Sequence, residues 1–390
     1  MSPSRSPTEA QSGVALAHDY LLVMRGAERT FAAIADLYPQ APIFTLLYDE
    51  QGTEGRFAGR ALTTSALQRL GARQGSFRRL LPLYPRAIER LTLPAADVVI
   101  SSSSAFAHGV HKPAGAKHIC YCHTPFRYAW YEEQRALAEA SPLLRPLLRA
   151  ELRRMRSWDL SASRAVDVYI ANSQLTRERI RRYYGRDALV IHPPVETHRF
   201  SPGEAGESLL VVSEILRHKR VALALEAARR ARAPVTVVGS GPELATLRRE
   251  YPEAEFLGRV GDRELADRYA RARATLIPGP EEFGIVAVKA QAAGRPVIAP
   301  AAGGALETVL DGRTGRLAAP DDVSSFQRAI EELDELDFDP RQAVENAARF
   351  SVEAFQRRLA ELVGEVARAG SESSRPAAGQ AAARAAGERR

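Results

Sequence analysis

The sequence predicts an α/β protein of two doubly wound, Rossmann-like domains facing a cleft. Short apolar runs alternate with helical patterns in two separate series, and such alternation implies parallel strands joined by crossover helices. A polar stretch with Pro and Gly, residues 196–207, parts the two series as a linker. The 390 residues suit two domains of ordinary size, each with its own core. The expected boundaries are 13–195 and 208–350, with a further helix over 351–369. Residues 1–12 and 370–390 lack periodicity and read as disordered ends. Two similar halves around a linker make a cleft the expected place for a ligand.

The first half opens with an apolar strand pattern at 14–18, then a turn containing Arg25 and Gly26, then a helical pattern over 27–38. A glycine turn between first strand and first helix is where Rossmann domains meet phosphate. Without the full GxGxxG fingerprint, a purely structural turn is the better reading of these residues alone. Further apolar runs lie at 43–47, 98–100, 119–122 and 168–171, with a helix over 175–184. The polar segments 101–104, 123–128 and 172–173 follow three of these runs, so they fall at strand carboxyl ends, where open α/β sheets bind ligands. His123 stands out because it sits at such an end before a Thr-Pro turn; the other histidines read as surface or core residues. Arg127 nearby suits a phosphate. Cys120 and Cys122 share one strand face and read as buried thiols of a reducing compartment.

The second half repeats the scheme. An apolar run at 209–212 precedes Lys219 and Arg220 at the start of a helix to 231; a strand at 235–238 ends at Gly239; 256–260 and a helix over 263–272 follow. The apolar run 274–277 stops at Pro278, and Glu281-Glu282-Phe283-Gly284 opens a helical pattern to 293, closed by Gly294. A strand pattern at 296–299 leads to Gly303-Gly304, a flexible glycine pair beside the helix start. The N–H groups of a helix start suit a phosphate, and the adjacent carboxylate suits sugar hydroxyls. In outline this is a nucleotide-sugar site. Helical patterns at 322–335, 340–349 and 351–368 complete the chain.

The segment from Phe283-Gly284 through Gly-Arg-Pro-Val-Ile-Ala to Gly303-Gly304 resembles the donor-site signature of retaining family 4 glycosyltransferases, which have the two-domain GT-B fold. Weaker resemblance extends over about 14–360. It implies a retaining, metal-independent hexosyltransferase without a protein nucleophile or resident cofactor. Its last helix crosses back to the first domain. The resemblance assigns catalytic roles to His123, Glu281 and Lys219: His123 beside the donor sugar, Glu281 on its hydroxyls, Lys219 on the diphosphate. It places Gly26, Glu214, Gly239, Val260, Phe283, Gly284, Ile285 and Lys289 around the nucleotide, and Arg25 and Arg127 on the acceptor side. Two positions depart from the family pattern: Glu214 stands where Arg is expected, and Lys289 where a ribose-binding Glu is expected. Their complementary charges suggest an exchanged ion pair across the site. The segments HDYLLVMRGAER, CHTPFRYAW and EEFGIVAVKAQA look most similar to bacterial mannosyltransferases of O-antigen and exopolysaccharide assembly. That resemblance implies GDP-mannose as donor and a lipid-linked saccharide as acceptor. A UDP-sugar donor, a non-catalytic nucleotide-sugar-binding protein and another GT-B enzyme such as an epimerase remain alternatives.

Composition narrows the partners. The net charge of +7 is carried almost wholly by arginine. Residues 56–90 hold eight arginines against the single acid Glu89, and 143–156 (LLRPLLRAELRRMR) repeat the theme at helical spacing. Such a surface suits an anionic membrane, nucleic acid, or simply water. No nucleic-acid-binding motif accompanies it, which favours lipid over nucleic acid. With neither an apolar leader nor a run approaching 18 apolar residues, the chain is expected to be cytoplasmic, and peripheral if it meets a membrane.

Overall fold

The computed structural model describes residues 13–71 and 75–373, which form two units. The first takes the chain to Asn172, then Thr176–Ile191, and again from Gln356; the second takes Ser173–Leu175 and His192–Phe355.

The first unit is built on a seven-stranded parallel sheet of order β3-β2-β1-β4-β5-β6-β7. Its strands are β1 (Val14–Leu21), β2 (Ile43–Tyr48), β3 (Leu62–Thr64), β4 (Val98–Ser103), β5 (Lys117–Cys122), β6 (Val168–Ala171) and β7 (Leu189–Val190). The intervening helices are α1 (Gly26–Leu37), α2 (Tyr84–Glu89), α3 (Arg127–Trp130), α4 (Glu133–Glu139), α5 (Arg145–Ser163) and α6 (Gln174–Tyr184). Strands covered on both faces read as continuous apolar runs, which is how the sequence reveals β1, β4 and β5. Yet β1 and β4 continue three residues beyond those runs. Asp19, Ser101, Ser102 and Ser103 are buried strand residues whose polar groups find partners inside the protein, so polarity masks the strand ends.

The second unit has a six-stranded parallel sheet of order β10-β9-β8-β11-β12-β13. Its strands are β8 (Leu209–Val212), β9 (Val235–Val238), β10 (Glu255–Gly258), β11 (Thr275–Leu276), β12 (Val297–Pro300) and β13 (Gly315–Ala318). Its helices are α7 (Val221–Arg230), α8 (Leu244–Glu250), α9 (Asp262–Arg271), α10 (Ile285–Ala292), α11 (Ala305–Thr308), α12 (Val323–Glu331) and α13 (Pro340–Ala348). The core on one side of this sheet gathers Leu209, Val211, Leu225, Val237, Leu276 and Phe326. In both sheets the strand order reverses, between β1 and β4 and between β8 and β11, and each reversal opens a crevice at the strand carboxyl ends.

Three expectations are corrected. The helix expected from Glu281 begins at Ile285, because Gly284 turns left-handed (φ +87°) and residues 281–284 form an irregular turn. Residues 196–207, expected to part the two halves, lie within the second unit, whose long stretch begins at His192; they contain a 3-10 turn at Thr197–Arg199 and otherwise neither helix nor strand. The expected tail from residue 370 begins later: α14 (Val352–Ser373) runs through Ser373. From Gln356 onward α14 belongs to the first unit, where the Gln356 amide donates to Ala33 O (2.9 Å) and Arg358 to Val190 O (3.0 Å). The expected disordered segments 1–12 and 374–390 lie outside the described residues.

Candidate functional site

At the β8/β11 crevice the chain leaving β8 forms a 3-10 turn, Arg217–Lys219, and the chain leaving β11 forms the acidic turn. These turns run against each other: a Cβ on Gly279 would stand 3.0 Å from Lys219 O and 3.2 Å from His218 O. Their proximity brings two expected site residues together. Lys219 Nζ donates to Glu281 Oε1 at 2.8 Å, with the side chains 30% and 23% exposed. Both stay partly open to solvent, so a ligand can reach either charge.

The glycine pair beyond β12 has a different role from the flexible one expected. Gly304 N–H donates to Glu281 O (2.8 Å), and Gly303 is left-handed (φ +61°) with its ideal Cβ position 2.3 Å from the same carbonyl. A Cβ on Gly304 would fall 2.1–2.2 Å from the Phe283 backbone. The pair is therefore the seat on which the acidic turn rests. Gly304→Ala should push the turn away at a cost of about 1–3 kcal/mol. A lowered thermal midpoint is the expected result, and an unchanged one would refute this packing role.

Phe283 anchors the turn from above. Its ring stacks on His192 (5.3 Å) and meets Phe350 edge-on (5.3 Å). His192 Nε2 lies 2.9 Å from Glu307 Oε2, and the two Glu307 oxygens also accept the Gln174 N–H at 2.9 and 3.0 Å. Sequence reasoning missed Glu307 and His192, because nothing in their neighbourhood marks a pair 115 residues apart. The backbone N–H groups of Phe283, Gly284 and Ile285, by contrast, have no acceptor among the described residues. Three donors at the start of α10 thus stay open with the helix dipole behind them, an arrangement that attracts anions.

Other expected residues fall around this centre in distinct ways. Gly239 (φ +141°) holds the end of β9 against β8, its Cβ position only 1.8 Å from Ser213 O; close approach, rather than ligand contact, explains the glycine here. Val260 is half-buried between β10 and α9. The exchanged pair of Glu214 and Lys289 does not form. Glu214 is exposed and has no ion pair among the described residues, while the Lys289 ammonium lies 5.7 Å from the Phe200 ring centroid. The cation joined to the acidic turn is Lys219.

In the first unit, His123 follows β5 and is only 8% exposed. Its N–H donates to Ser103 O (2.9 Å), its Nε2 lies 2.9 Å from Ser102 Oγ, and its carbonyl accepts from Thr176 Oγ1 (3.2 Å). Burial lowers its pKa to about 4, so the ring is a neutral, fixed group near pH 7. Arg25 and Gly26 are exposed at the start of α1, where Glu28 reaches back to the Arg25 N–H (3.1 Å). Arg127 opens α3, half-buried.

Sequence reasoning also missed Asp19, whose carboxylate accepts four backbone N–H groups, from Ser104 (2.6 Å), Ala105 (3.0 Å), Phe106 (2.8 Å) and Ala107 (2.6 Å). Burial pushes this carboxyl upward and those donors pull it back. Asp19 thereby fixes the loop leaving β4. A serine-rich segment after a strand offers such donors, but it does not say which acid will take them.

Residues 24–199 match the family model described as Glycosyltransferase Family 4, and 206–335 match that of Glycosyl transferases group 1. D-inositol 3-phosphate glycosyltransferase 2 of Catenulispora acidiphila is 36% identical over 228 residues, 48% of this chain and 53% of the relative. A GDP-mannose-dependent alpha-(1-6)-phosphatidylinositol monomannoside mannosyltransferase of Mycolicibacterium smegmatis is 32% identical over 222 residues, 48% of this chain and 56% of the relative. The chain thus spans about half the length of these curated relatives. Among solved structures, sucrose-phosphate synthase of Thermosynechococcus elongatus aligns with a TM-score of 0.67 at 18% identity, covering 91% of this chain and 99% of the other. HepE of Anabaena in complex with UDP aligns at 0.66 and 18% identity, covering 90% and 100%. At such identities the likeness concerns the fold, which is GT-B with two parallel-sheet Rossmann-like domains.

Proposed function

The chain belongs to glycosyltransferase family 4, and on that premise we propose that it moves mannose from GDP-mannose to a lipid-linked saccharide at an anionic membrane surface. The observation that carries this reading is the Lys219–Glu281 pair beside the unpaired N–H groups of Phe283, Gly284 and Ile285. A departing nucleoside diphosphate needs its charge met by fixed donors; Lys219 and these N–H groups supply them. Glu281, released from Lys219, accepts hydroxyls of the donor sugar. His123, neutral and anchored to Ser102, offers no cation, and its carbonyl, which already accepts from Thr176 Oγ1, keeps its second lone pair for a hydroxyl. The proposed reaction retains configuration and needs neither a metal nor a protein nucleophile. The mannosyltransferase relative and the motif resemblance favour mannose and GDP. The cell-surface polysaccharide address rests on that motif resemblance.

A second reading, a non-catalytic nucleotide-sugar-binding protein, draws on Glu214 and Lys289. An ammonium at position 289 cannot accept from a ribose diol, and losing a charge-assisted hydrogen bond costs about 1.5–3 kcal/mol. Calorimetric titration with GDP-mannose and UDP-glucose, on wild type and Lys289→Glu, tests both readings. The expected result is saturable binding of GDP-mannose by wild type, tightened about 10–100-fold in Lys289→Glu. A site that binds only UDP-glucose overturns the donor. Saturable binding by wild type without donor turnover favours the non-catalytic reading, and binding in the mutant alone overturns both.

A further inference from the structure

The start of α5 carries the largest apolar exposure found among the described residues. Leu143 is 91% exposed, Leu144 57% and Leu147 69%. Single exposed leucines are ordinary, but three within five positions on one helix tip call for a partner. They do not continue the core stripe. That stripe is Leu152, Met155, Asp159 and Ser163, and at about 100° per residue Leu147 points roughly 140° away from Leu152. Pro142 opens the preceding 3-10 turn and Pro146 the first turn of α5, so the tip is stiff without needing packing against it.

Arginines occupy the other faces of the same helix, Arg145 and Arg149 roughly 160° and Arg153 roughly 120° from Leu147 at about 100° per residue. Residues 143–156 contain five arginines and one acid, Glu151, which Arg154 engages at 2.7 Å. Arg145 and Arg153 have no ion pair among the described residues, and Arg149 comes only within 4.0 Å of Glu133. The apolar surface also extends beyond the helix. Arg154 lies seven residues from Leu147, hence on the same face two turns along, and it donates to Pro82 O at 2.7 Å. The neighbouring Leu83, 46% exposed, therefore lies alongside that face.

We propose that the Leu143–Leu144–Leu147 tip, with Arg145, Arg149 and Arg153 on the other faces of the same helix end, inserts into the headgroup boundary of an anionic bilayer. Phosphate-bearing headgroups meet the arginines while the leucines enter the acyl boundary, the division of labour of an interfacial helix. A nucleic acid would satisfy the arginines but leave the leucines in water. The inference deepens the transferase reading by naming the surface that meets the acceptor's membrane, but neither the surface nor its test depends on the donor.

The test is co-sedimentation of the full chain with vesicles of phosphatidylcholine alone or with about one third phosphatidylglycerol. Two variants accompany it, Leu143→Ser/Leu144→Ser/Leu147→Ser and Arg145→Gln/Arg149→Gln/Arg153→Gln. Both alter exposed positions, so thermal midpoints should stay at the wild-type value. Wild type should sediment with the anionic vesicles and not the neutral ones, and each variant should lose at least about tenfold in affinity. Nucleotide-sugar binding by the leucine variant should match wild type, which separates this inference from the donor assignment. Wild type left in the supernatant with anionic vesicles overturns the proposal. A leucine variant that binds as tightly as wild type also overturns it, since the surface would then be merely basic.

Discussion

Lys219→Met should lower donor turnover about 10²–10³-fold, the usual consequence of losing one fixed donor to a developing negative charge. The ligand-free geometry makes the expectation sharper than a general loss. Lys219 and Glu281 hold each other at 2.8 Å, so a diphosphate must draw the lysine away from the carboxylate. An intact nucleotide sugar replaces what Glu281 loses, because its hydroxyls donate to that carboxylate. A free nucleoside diphosphate does not, and leaves Glu281 without its partner. The pair therefore favours substrate over leaving group. Glu281→Gln removes the competition: it should weaken the intact donor about 10–100-fold, the value of a charge-assisted hydrogen bond. The free nucleoside diphosphate should bind that variant as well as or better than wild type. Calorimetry on both ligands, with circular dichroism to confirm folding, reads the ratio directly. Equal weakening of both ligands would refute the exchange, and wild-type turnover in Lys219→Met would remove Lys219 from the mechanism.

The contrast between what the sequence foretold and what it hid has a physical basis. Central parallel strands are buried on both faces and announce themselves as apolar runs, which is why β1, β4, β5, β8, β9 and β12 were all legible. Edge strands lack that burial: Leu62–Thr64 and Leu189–Val190 are short, partly exposed and read as loop. Polar ends of strands were hidden for the opposite reason. Ser101–Ser103 are buried because partners elsewhere in the chain satisfy them, and sequence does not show pairings across the sheet. The acidic turn, the lysine and the glycine pair were each visible, yet their relation was not. Gly303 and Gly304 looked like ligand-facing flexibility, whereas Cβ positions within 2.3 Å of the Glu281 and Phe283 backbones show close packing. The exchanged pair of Glu214 and Lys289 failed similarly. Charge complementarity in a sequence says nothing of distance, and the structure joins Lys219 to Glu281 instead.

Acidification should unfold the first unit before the second, with a transition set by its buried histidines. Three histidines of that unit are buried and held neutral. Burial lowers His18 to about 3, with help from nearby His123; it lowers His118 to about 3, with help from His108 and Lys112; and it lowers His123 to about 4. Each unfolded histidine takes up a proton near pH 6.5, while the folded one does not until much lower pH. Protons thus favour the unfolded chain throughout this window. The stabilisation is complete above pH 6.5 and falls as pH drops toward 4. Three such groups give a slope of about 4 kcal/mol per pH unit; Glu28, raised by burial to about 7, takes up its proton in the folded state first and trims that to about 3 kcal/mol per pH unit, which by pH 4 removes most of a stability on the order of 10 kcal/mol. His108 works in the opposite direction. Burial lowers it, but Asp159, whose Oδ1 is 3.2 Å from Nε2, and Asp19 outweigh burial and leave it raised. Below pH 6.5 His108 is protonated in both states, so its stabilisation is already complete there and leaves the slope between 6.5 and 4 unchanged. His118→Asn deletes one of the three, so urea titrations between pH 7 and 4.5 should show its slope reduced by about 1.4 kcal/mol per pH unit. Wild-type stability that stays flat over that range would mean these imidazoles accept protons in the folded state, and the neutral His123 assigned to the site would fall with them.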